Sequence, residues 1–334
     1  MKDRDMNPTI RIMMATYNGE KYLREQVESI LNQTYQNWCL IVQDDGSKDK
    51  TWEILEEYCK NDSRISIRKS PESKHGAYYN FHSIANQEKE SGIFYDLYMF
   101  SDQDDIWDID KIEKMVRWFE KYKSGNPLFL YGDMRVVDNN KNIISQSICD
   151  SQCLHYVNKY SLFFSHIIYG CNVMMNREAF MSVPIINISE SYVSILSHDN
   201  LYAKFSGISG NVEFLNEALM SYRRHGENAT AKQQYGFGIG RIVKRIIGIQ
   251  DLARDHARTY SQSLIAIDLL KKSTNYDQTE LDELQEALEN GGFLGISYIN
   301  EKRISWGNKV KDASHKLIIL TGIYKKYLNK NNYG

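Results

Sequence analysis

The sequence predicts an α/β fold in which a mostly parallel sheet is flanked by helices and followed by a helical C-terminal region. Up to Trp107, short apolar runs ending at polar turn residues alternate with segments of helical spacing, the rhythm of a sheet with helices on both faces. From about residue 237 the texture changes: basic and apolar residues interleave at helical spacing and no strand intervenes. The length of 334 residues, set against a typical domain of roughly 150, allows one large core and a smaller appendage.

Taken in order, Ile10-Arg11-Ile12-Met13-Met14-Ala15 is short and apolar and stops at the turn-former Asn18-Gly19. Tyr22, Leu23, Val27, Ile30 and Leu31 follow at helical spacing, so the chain opens strand, loop, helix. The pattern recurs as strand 38–43, loop 44–49, helix 50–59, strand 65–68, helix 77–89 and strand 96–100. Such a sheet carries its working loops beyond the carboxyl ends of its strands, so loops 16–19, 44–49 and 101–105 are expected to line one cleft. After Trp107 come a helix to about Lys123, strands near 128–131 and 135–137, and a less regular middle that includes 170–176. The uncharged stretch 160–176 is broken by Ser165, His166, Gly170 and Asn172, falls short of the about 20 apolar residues of a membrane span, and reads as buried core. Near the C-terminus, Ile239, Ile242, Val243, Ile246 and Ile247 interleave with Arg241, Lys244 and Arg245, and helical patterns continue through 252–272, 280–288 and 313–328.

Forty-one Lys and Arg against 43 Asp and Glu leave a formal charge of −2, so no attraction to nucleic acid is implied. The first five residues carry both signs of charge and lack an apolar signal region, which makes the cytoplasm the expected compartment. Of the five cysteines (Cys39, Cys59, Cys149, Cys153, Cys171) only Cys149 and Cys153 lie close together, without the spacing of a zinc site, so reduced structural thiols are expected.

The densest acidic cluster, Ser101-Asp102-Gln103-Asp104-Asp105, directly follows the apolar strand 97–100. Three carboxylates within four residues repel one another unless a cation or hydrogen-bond donors compensate them, and oxygen ligands suit Mg²⁺ or Mn²⁺ bridging to substrate phosphates. The competing explanation is a helix start, where Asp is a favoured cap. Asp44-Asp45-Gly46-Ser47-Lys48-Asp49 offers acceptors for a base or ribose edge, or forms a plain Asp-Gly turn into a cap. Thr16-Tyr17-Asn18-Gly19 does not match the Gly-rich dinucleotide fingerprint, and no Gly-Lys-Ser/Thr phosphate loop occurs in the chain.

Taken jointly, Ala15-Thr16-Tyr17-Asn18-Gly19, Gln43-Asp44-Asp45-Gly46-Ser47-Lys48-Asp49 and Phe100-Ser101-Asp102-Gln103-Asp104-Asp105-Ile106-Trp107 resemble glycosyltransferase family 2, inverting enzymes of the GT-A fold. Tyr169-Gly170-Cys171-Asn172-Val173-Met174-Met175-Asn176-Arg177, Ser197-His198-Asp199 and Tyr222-Arg223-Arg224-His225-Gly226-Glu227-Asn228 are similar to its rhamnosyltransferase-like branch, which builds bacterial surface polysaccharides. The likeness spans residues 9–230.

The resemblance implies a catalytic domain over 1–230, with a nucleotide-binding half at 9–107 and an acceptor-binding half at 108–230, ahead of a helical region at 231–334. It points to Thr16, Tyr17, Asn18, Asp44 and Asp45 as nucleotide contacts, with Gln103 beside them, and to Asp102 and Asp104 as ribose and metal ligands for Mn²⁺ or Mg²⁺. Asp105 is the expected supporting carboxylate. Asp199 is the implied general base, with His198 orienting it, touching the acceptor or simply bonding within the structure. His225 is a candidate for the metal or diphosphate, and Arg223 or Arg224 for a bidentate phosphate contact, against the alternative of a basic loop facing solvent. Trp107 is expected to pack beneath the metal loop, and Tyr78, Tyr79 and Asn80 are cleft candidates.

The implied donor is a nucleotide sugar, dTDP-L-rhamnose or a UDP-hexose, and the implied acceptor a glycan or lipid-linked glycan. The basic-apolar helix 237–249 either lies on an anionic membrane at the inner face of the cell, as a peripheral contact, or packs on the catalytic domain or on a second subunit as a homodimer. Two further classes stay open: a sugar nucleotidyltransferase, which would want a Gly-rich basic loop after the first strand where Thr16-Tyr17-Asn18-Gly19-Glu20 stands, and a glycan-binding protein without turnover.

Overall fold

The computed structural model describes residues 7–71, 73–122, 125–152, 158–225, 249–273 and 275–328. Strand β1 (Ile10–Thr16) is buried along its length between β2 (Trp38–Asp44) and β4 (Leu97–Ser101), which is why it reads as an unbroken apolar run. Helix α1 (Leu23–Leu31) follows β1, α2 (Thr51–Asn61) follows β2, and α3 (Ala77–Glu90) joins β3 (Ile65–Lys69) to β4. These four strands run parallel in the order β3-β2-β1-β4. Thr16 pairs with Asp44 and Met14 with Ser101 across β1, so the loops after β1, β2 and β4 leave the sheet on one rim, as the strand–loop–helix rhythm requires.

Beyond β4 the sheet changes direction. β8 (Val173–Asn176) enters antiparallel between β4 and β6 (Leu128–Val137), β9 (Asn211–Arg223) runs parallel to β6, and the short β5 (Ile106–Trp107) closes the edge against β9. β7 (Ile143–Ser145) pairs off the path with β6. The long ladders are the parallel ones and the antiparallel contacts span two or three residue pairs each, so the sheet is mostly parallel.

β6 is one strand where the pattern suggests two, because Gly132-Asp133 interrupts its apolar run. Both residues have local reasons: a Cβ at Gly132 would lie 2.8 Å from Asn172 Nδ2, and Asp133 accepts from the backbone N–H groups of Ile148 and Cys149. β9 is hidden in the sequence by Glu213, Asn216 and Glu217, which its near-edge position, paired with β6 on one side and two residues of β5 on the other, accommodates. The helix after Trp107, α4, starts at Lys111 and stops at Phe119, and α5 (Ile148–Gln152), α6 (Ser161–Phe164), α7 (Arg177–Ser182) and α8 (His198–Ser209) complete the first unit. Most of the uncharged 160–176 stretch is core, as expected.

Among the described residues four α-helices follow: α9 (Ile249–Lys271), α10 (Gln278–Asn290), α11 (Gly292–Glu301) and α12 (Lys309–Thr321). They pack on the first unit. Ser263 Oγ donates to the Phe163 carbonyl at 2.7 Å, Trp306 Nε1 to that of Phe164 at 3.3 Å, and Asn158 Nδ2 to that of Lys302 at 2.7 Å, while the apolar side chains of both regions form one continuous core. Helix α11 went unread because it opens on Gly291-Gly292, both at positive φ (56° and 61°), the signature of a turn. The expected helix 237–249 lies outside the described residues but for its last residue, Ile249, where α9 begins. No helix among the described residues is long and apolar enough to cross a membrane. Cys39, Cys59, Cys149 and Cys171 carry free thiols, and Cys153 lies outside the described residues.

Candidate active site

The three loops on the rim are sewn to one another by side chains. Gln103 clamps Tyr17 by two bonds, its Oε1 accepting from the Tyr17 N–H at 2.9 Å and its Nε2 donating to the Tyr17 carbonyl at 2.9 Å. This explains Gly19, where a Cβ would lie 2.3 Å from Gln103 Oε1. Asn18, held at φ 47°, donates its N–H to Ser47 Oγ at 2.8 Å and accepts from the Lys48 N–H at 2.8 Å. Asp44 is buried and accepts from the N–H groups of Gly46 and Ser47, from the Ser47 hydroxyl, and from Thr16 Oγ1 at 3.3 Å. Asp45, also buried, accepts from the Gly76 N–H at 2.7 Å and pairs with His75 Nδ1 at 2.9 Å, which fixes the entry to α3. Thr16, Asp44 and Asp45 therefore build the loops, while Tyr17 and Asn18 sit at the surface of the rim.

Beside these loops lies the acidic motif. Carboxylate oxygens of Asp102 and Asp105 and the Cys171 sulfur all fall within 4.8 Å of one another. Burial and the charges of Asp104 and Asp199 push the Asp102 carboxyl up to about 7, and burial with Asp104 and Asp102 pushes Asp105 well above the usual carboxylate range. Asp104 pairs with His225 Nε2 at 2.8 Å, and the His225 ring stacks on Tyr22 at 4.9 Å. The buried Arg223 closes the motif from behind: its N–H donates to Asp105 Oδ1 at 3.0 Å, its Nε to the Asp104 carbonyl at 3.0 Å, and its guanidinium pairs with Glu25. Arg223 is thereby committed to holding the loop, and the neighbouring Arg224 donates its N–H to the Val137 carbonyl at 2.8 Å. Trp107 is buried next to the motif with Lys111 Nζ 3.8 Å from its ring centre, and burial pulls Lys111 down to about 7.

This donor set fits a divalent cation. Asp105 Oδ2 is buried without a hydrogen-bond donor on it among the described residues, and the carboxylates raise one another's proton affinity for want of a positive charge between them. Carboxylate oxygens suit Mn²⁺ or Mg²⁺, whereas the Cys171 thiol, driven up first by burial, stays protonated and is a poor ligand for so hard an ion.

Asp199 lies at the start of α8, near enough to the motif for its charge to act on Asp102. Its Oδ1 accepts from the Ser197 hydroxyl, from the Asn200 N–H at 2.7 Å and from Asn200 Nδ2 at 2.9 Å. Burial works against ionisation here, but the charges that His198 and His166 carry at low pH, together with the Ser197 and Asn200 donors, outweigh it and hold the carboxyl below its ordinary value. His198 is buried face to face with Phe81 at 3.9 Å and edge-on to Phe100 at 4.6 Å, neither ring nitrogen has a hydrogen-bond partner among the described residues, and burial lowers it to about 4. It is a neutral packing group behind the carboxylate. Gly170 lets this arrangement form, since a Cβ there would lie 2.6 Å from His198 Nε2 and 3.3 Å from the Asp199 Cβ.

Tyr78, pushed up chiefly by burial, also feels the charges of Asp199, Arg258 and Asp102, so it lies between the two acidic groups and α9. Arg258 belongs to α9, so the C-terminal helices come near Tyr78, and a lone arginine in an amphipathic helix carries no motif that marks it beforehand. Asn80, by contrast, is buried and exchanges two bonds with Gln43 of β2, and Tyr79 is half-buried under Lys74. Ser197, part of the Ser197-His198-Asp199 motif, and Asn200, which no motif marks, orient Asp199.

Residues 11–183 match the family described as Glycosyl transferase family 2. The chain belongs to glycosyltransferase family 2. It is 30% identical to an uncharacterized glycosyltransferase of Haemophilus influenzae over 97% of this chain and 98% of that one. It is 29% identical to the dTDP-rhamnosyl transferase RfbG of Shigella flexneri (66% and 76% of the two chains). It is 30% identical to the UDP-Glc:alpha-D-GlcNAc-diphosphoundecaprenol beta-1,3-glucosyltransferase WfgD of Escherichia coli (58% and 72%). Among solved structures, TarS 1-349 of S. aureus in complex with UDP-GlcNAc superposes with a TM-score of 0.55 at 13% identity, covering 96% of this chain and 84% of that one. The mannosyltransferase PcManGT of Pyrobaculum calidifontis, in complex with GDP-Man and Mn²⁺, gives 0.50 at 12% identity over 98% and 89%. The fold is GT-A and the protein is a glycosyltransferase, as the loop motifs imply.

Proposed function

We propose that this family 2 enzyme moves a sugar from a nucleoside diphosphate onto a hydroxyl of a growing bacterial surface polysaccharide or lipid-linked glycan, with inversion. The observation that carries the reading is Asp199, held below its ordinary value by its neighbours, lying close enough to the acidic motif for its charge to help raise the buried Asp102. The acceptor oxygen bonds to the anomeric carbon as the bond from that carbon to the diphosphate oxygen breaks. The acceptor proton passes to Asp199, whose Oδ1 is held by three donors while Oδ2 serves the substrate. A divalent Mn²⁺ or Mg²⁺ held by Asp102 and Asp104, with Asp105 and His225 adjoining, would offset the charge that develops on the departing diphosphate. Tyr17, Asn18 and Arg224 border the nucleotide in this reading, and Thr16, Asp44, Asp45, Gln103 and Arg223 keep its loops in place.

Residues 9–107 then form the nucleotide half of a catalytic unit ending near 230, and 108–230 the acceptor half. dTDP-L-rhamnose is the donor we assign first and a UDP-hexose second, in line with the Shigella and E. coli relatives respectively. A lipid-linked acceptor places the enzyme at the inner face of the cell membrane.

The test is thermal shift of the purified protein with UDP, dTDP and GDP, with and without Mn²⁺, because a ligand bound by the native state alone raises the melting temperature. Stabilisation by dTDP or UDP that needs the metal and is lost in Asp104→Ala is expected. Indifference to every nucleotide would sink the donor-site assignment.

A further inference from the structure

The C-terminal helices present an apolar stripe to solvent. On α12, Val310, Ala313, Leu317 and Leu320 recur at intervals of three, four and three, which places them on one helical face turned away from the buried Ile318 and Ile319. Val310, Leu317 and Leu320 are 55%, 47% and 42% exposed. Helix α11 packs on the Ile319 side of α12 and exposes a second apolar pair in its own first turn. Gly291 and Gly295 press against Ile319, where added Cβ atoms would lie 2.8 Å from its carbonyl oxygen and 2.9 Å from its Cγ2, and the two residues between them and beyond Gly292, Phe293 and Leu294, are 87% and 41% exposed. Large apolar side chains exposed side by side on a helical surface call for a cover.

The charge around the stripe says which cover fits. Residues 292–328, which hold both helices, carry seven Lys or Arg and two acidic residues, Glu301, which Lys302 pairs at 2.9 Å, and Asp312, in a chain of net charge −2. Asp312 is turned inward, accepting from the Trp306 N–H at 2.6 Å and from Ser305 Oγ at 3.0 Å. The helical spacing sets Lys309 and Lys316 along one border of the stripe. Lys316 donates to the neutral Asn300 amide oxygen at 2.7 Å and Lys325 to the Asn290 carbonyl at 2.9 Å, so neither bond neutralises its charge. A second copy would set this cationic rim against an equally cationic one across a two-fold axis. An anionic bilayer satisfies both halves: headgroups take the lysines while Phe293, Leu294, Leu317 and Leu320 enter the acyl boundary.

We infer that the α11–α12 face is a docking surface for an anionic lipid leaflet. It adds to the lipid-linked acceptor reading the place where the enzyme meets the membrane, and it draws its biological sense from that reading, but the binding requires no turnover.

The experiment is co-sedimentation of the full-length protein with phosphatidylglycerol-containing vesicles and with phosphatidylcholine vesicles, at low and high salt. Binding to the anionic vesicles is expected to weaken with salt. Lys309→Glu with Lys316→Glu should reduce it by at least about twenty-five-fold, on the scale of roughly five-fold per lysine charge at such a surface. Leu317→Glu with Leu320→Glu should abolish it while the melting temperature and the nucleotide-induced shift persist, since neither leucine supports the core. Equal binding by the lysine and leucine variants, or no vesicle binding by a protein that still responds to nucleotide, would overturn the docking surface and leave the transferase reading intact. A lipid-free dimer by light scattering that Leu317→Glu splits would overturn it in favour of a second copy of the chain.

Discussion

At the scale of single residues, the site separates two carboxylates by environment. Asp199 receives three hydrogen bonds on one oxygen and stays ionised below the ordinary aspartate range, while Asp102 is crowded by like charges and driven up to about 7. Asp199→Asn removes the proton acceptor and preserves shape. It should lower kcat by about 10²–10⁴-fold and leave the nucleotide-induced melting shift unchanged, a split that steady-state kinetics and thermal shift read together. The pH profile follows the same division. Because Asp199 is depressed, its ionised form persists as pH falls through neutrality, so an acid limb near pH 7 reports Asp102, whose raised value means it takes up a proton there. Raising Mn²⁺ should move that limb to lower pH, since a cation favours the carboxylate form. A limb that stays put with metal and disappears in Asp199→Asn would reverse the assignment.

At the scale of elements, what could be read beforehand is what local pattern encodes. The N-terminal strands and helices are legible because each strand is an apolar run closed by a turn residue, and the acidic loop because three aspartates directly follow one of them. The antiparallel turn of the sheet at β8 and the long polar β9 are not legible, since their partners lie about 45 to 85 residues away in sequence and the pairing, not the composition, makes them strands. Site residues divide the same way. Asp102, Asp104 and Asp199 announce themselves in short motifs, whereas the function of Arg223 as a brace behind the metal loop and the arrival of Arg258 at Tyr78 depend on long-range packing. The second case is testable. Arg258 is exposed on α9 and its removal leaves no cavity, so Arg258→Ala should keep its melting temperature and raise the KM for donor or acceptor by up to about fivefold, the range of one lost charge interaction at an exposed site. Unchanged kinetics with both substrates would remove the C-terminal helices from the cleft.

At the scale of the whole molecule, the division at about residue 230 that the family resemblance implies does not coincide with a division of the core. Phe163 and Phe164 are buried within a cluster that includes Tyr260, Leu264 and Ile267 of α9, their carbonyls accept from Ser263 and Trp306, and Tyr160 donates to Glu280 of α10 at 2.6 Å. Full burial of a Leu or Phe side chain stabilises by roughly 1.5–3 kcal/mol, so re-exposing even part of the Leu162, Phe163 and Phe164 surface removes several kcal/mol from a native state worth about 5–15. A chain ending at residue 225 is therefore expected to aggregate or to melt without cooperativity, although it retains every carboxylate of the site. The full-length protein should unfold in one transition seen alike by circular dichroism and tryptophan fluorescence, because Trp38 and Trp107 report the sheet and Trp306 the C-terminal helices of the same core. Two separated transitions, with a truncated chain that still gains stability from nucleotide, would mean that the helices are an appendage resting on an independent catalytic unit. One transition makes them a structural part of that unit, and then the helices that bring Arg258 to the cleft and the lysine-bordered stripe to the surface hold the two at a fixed distance.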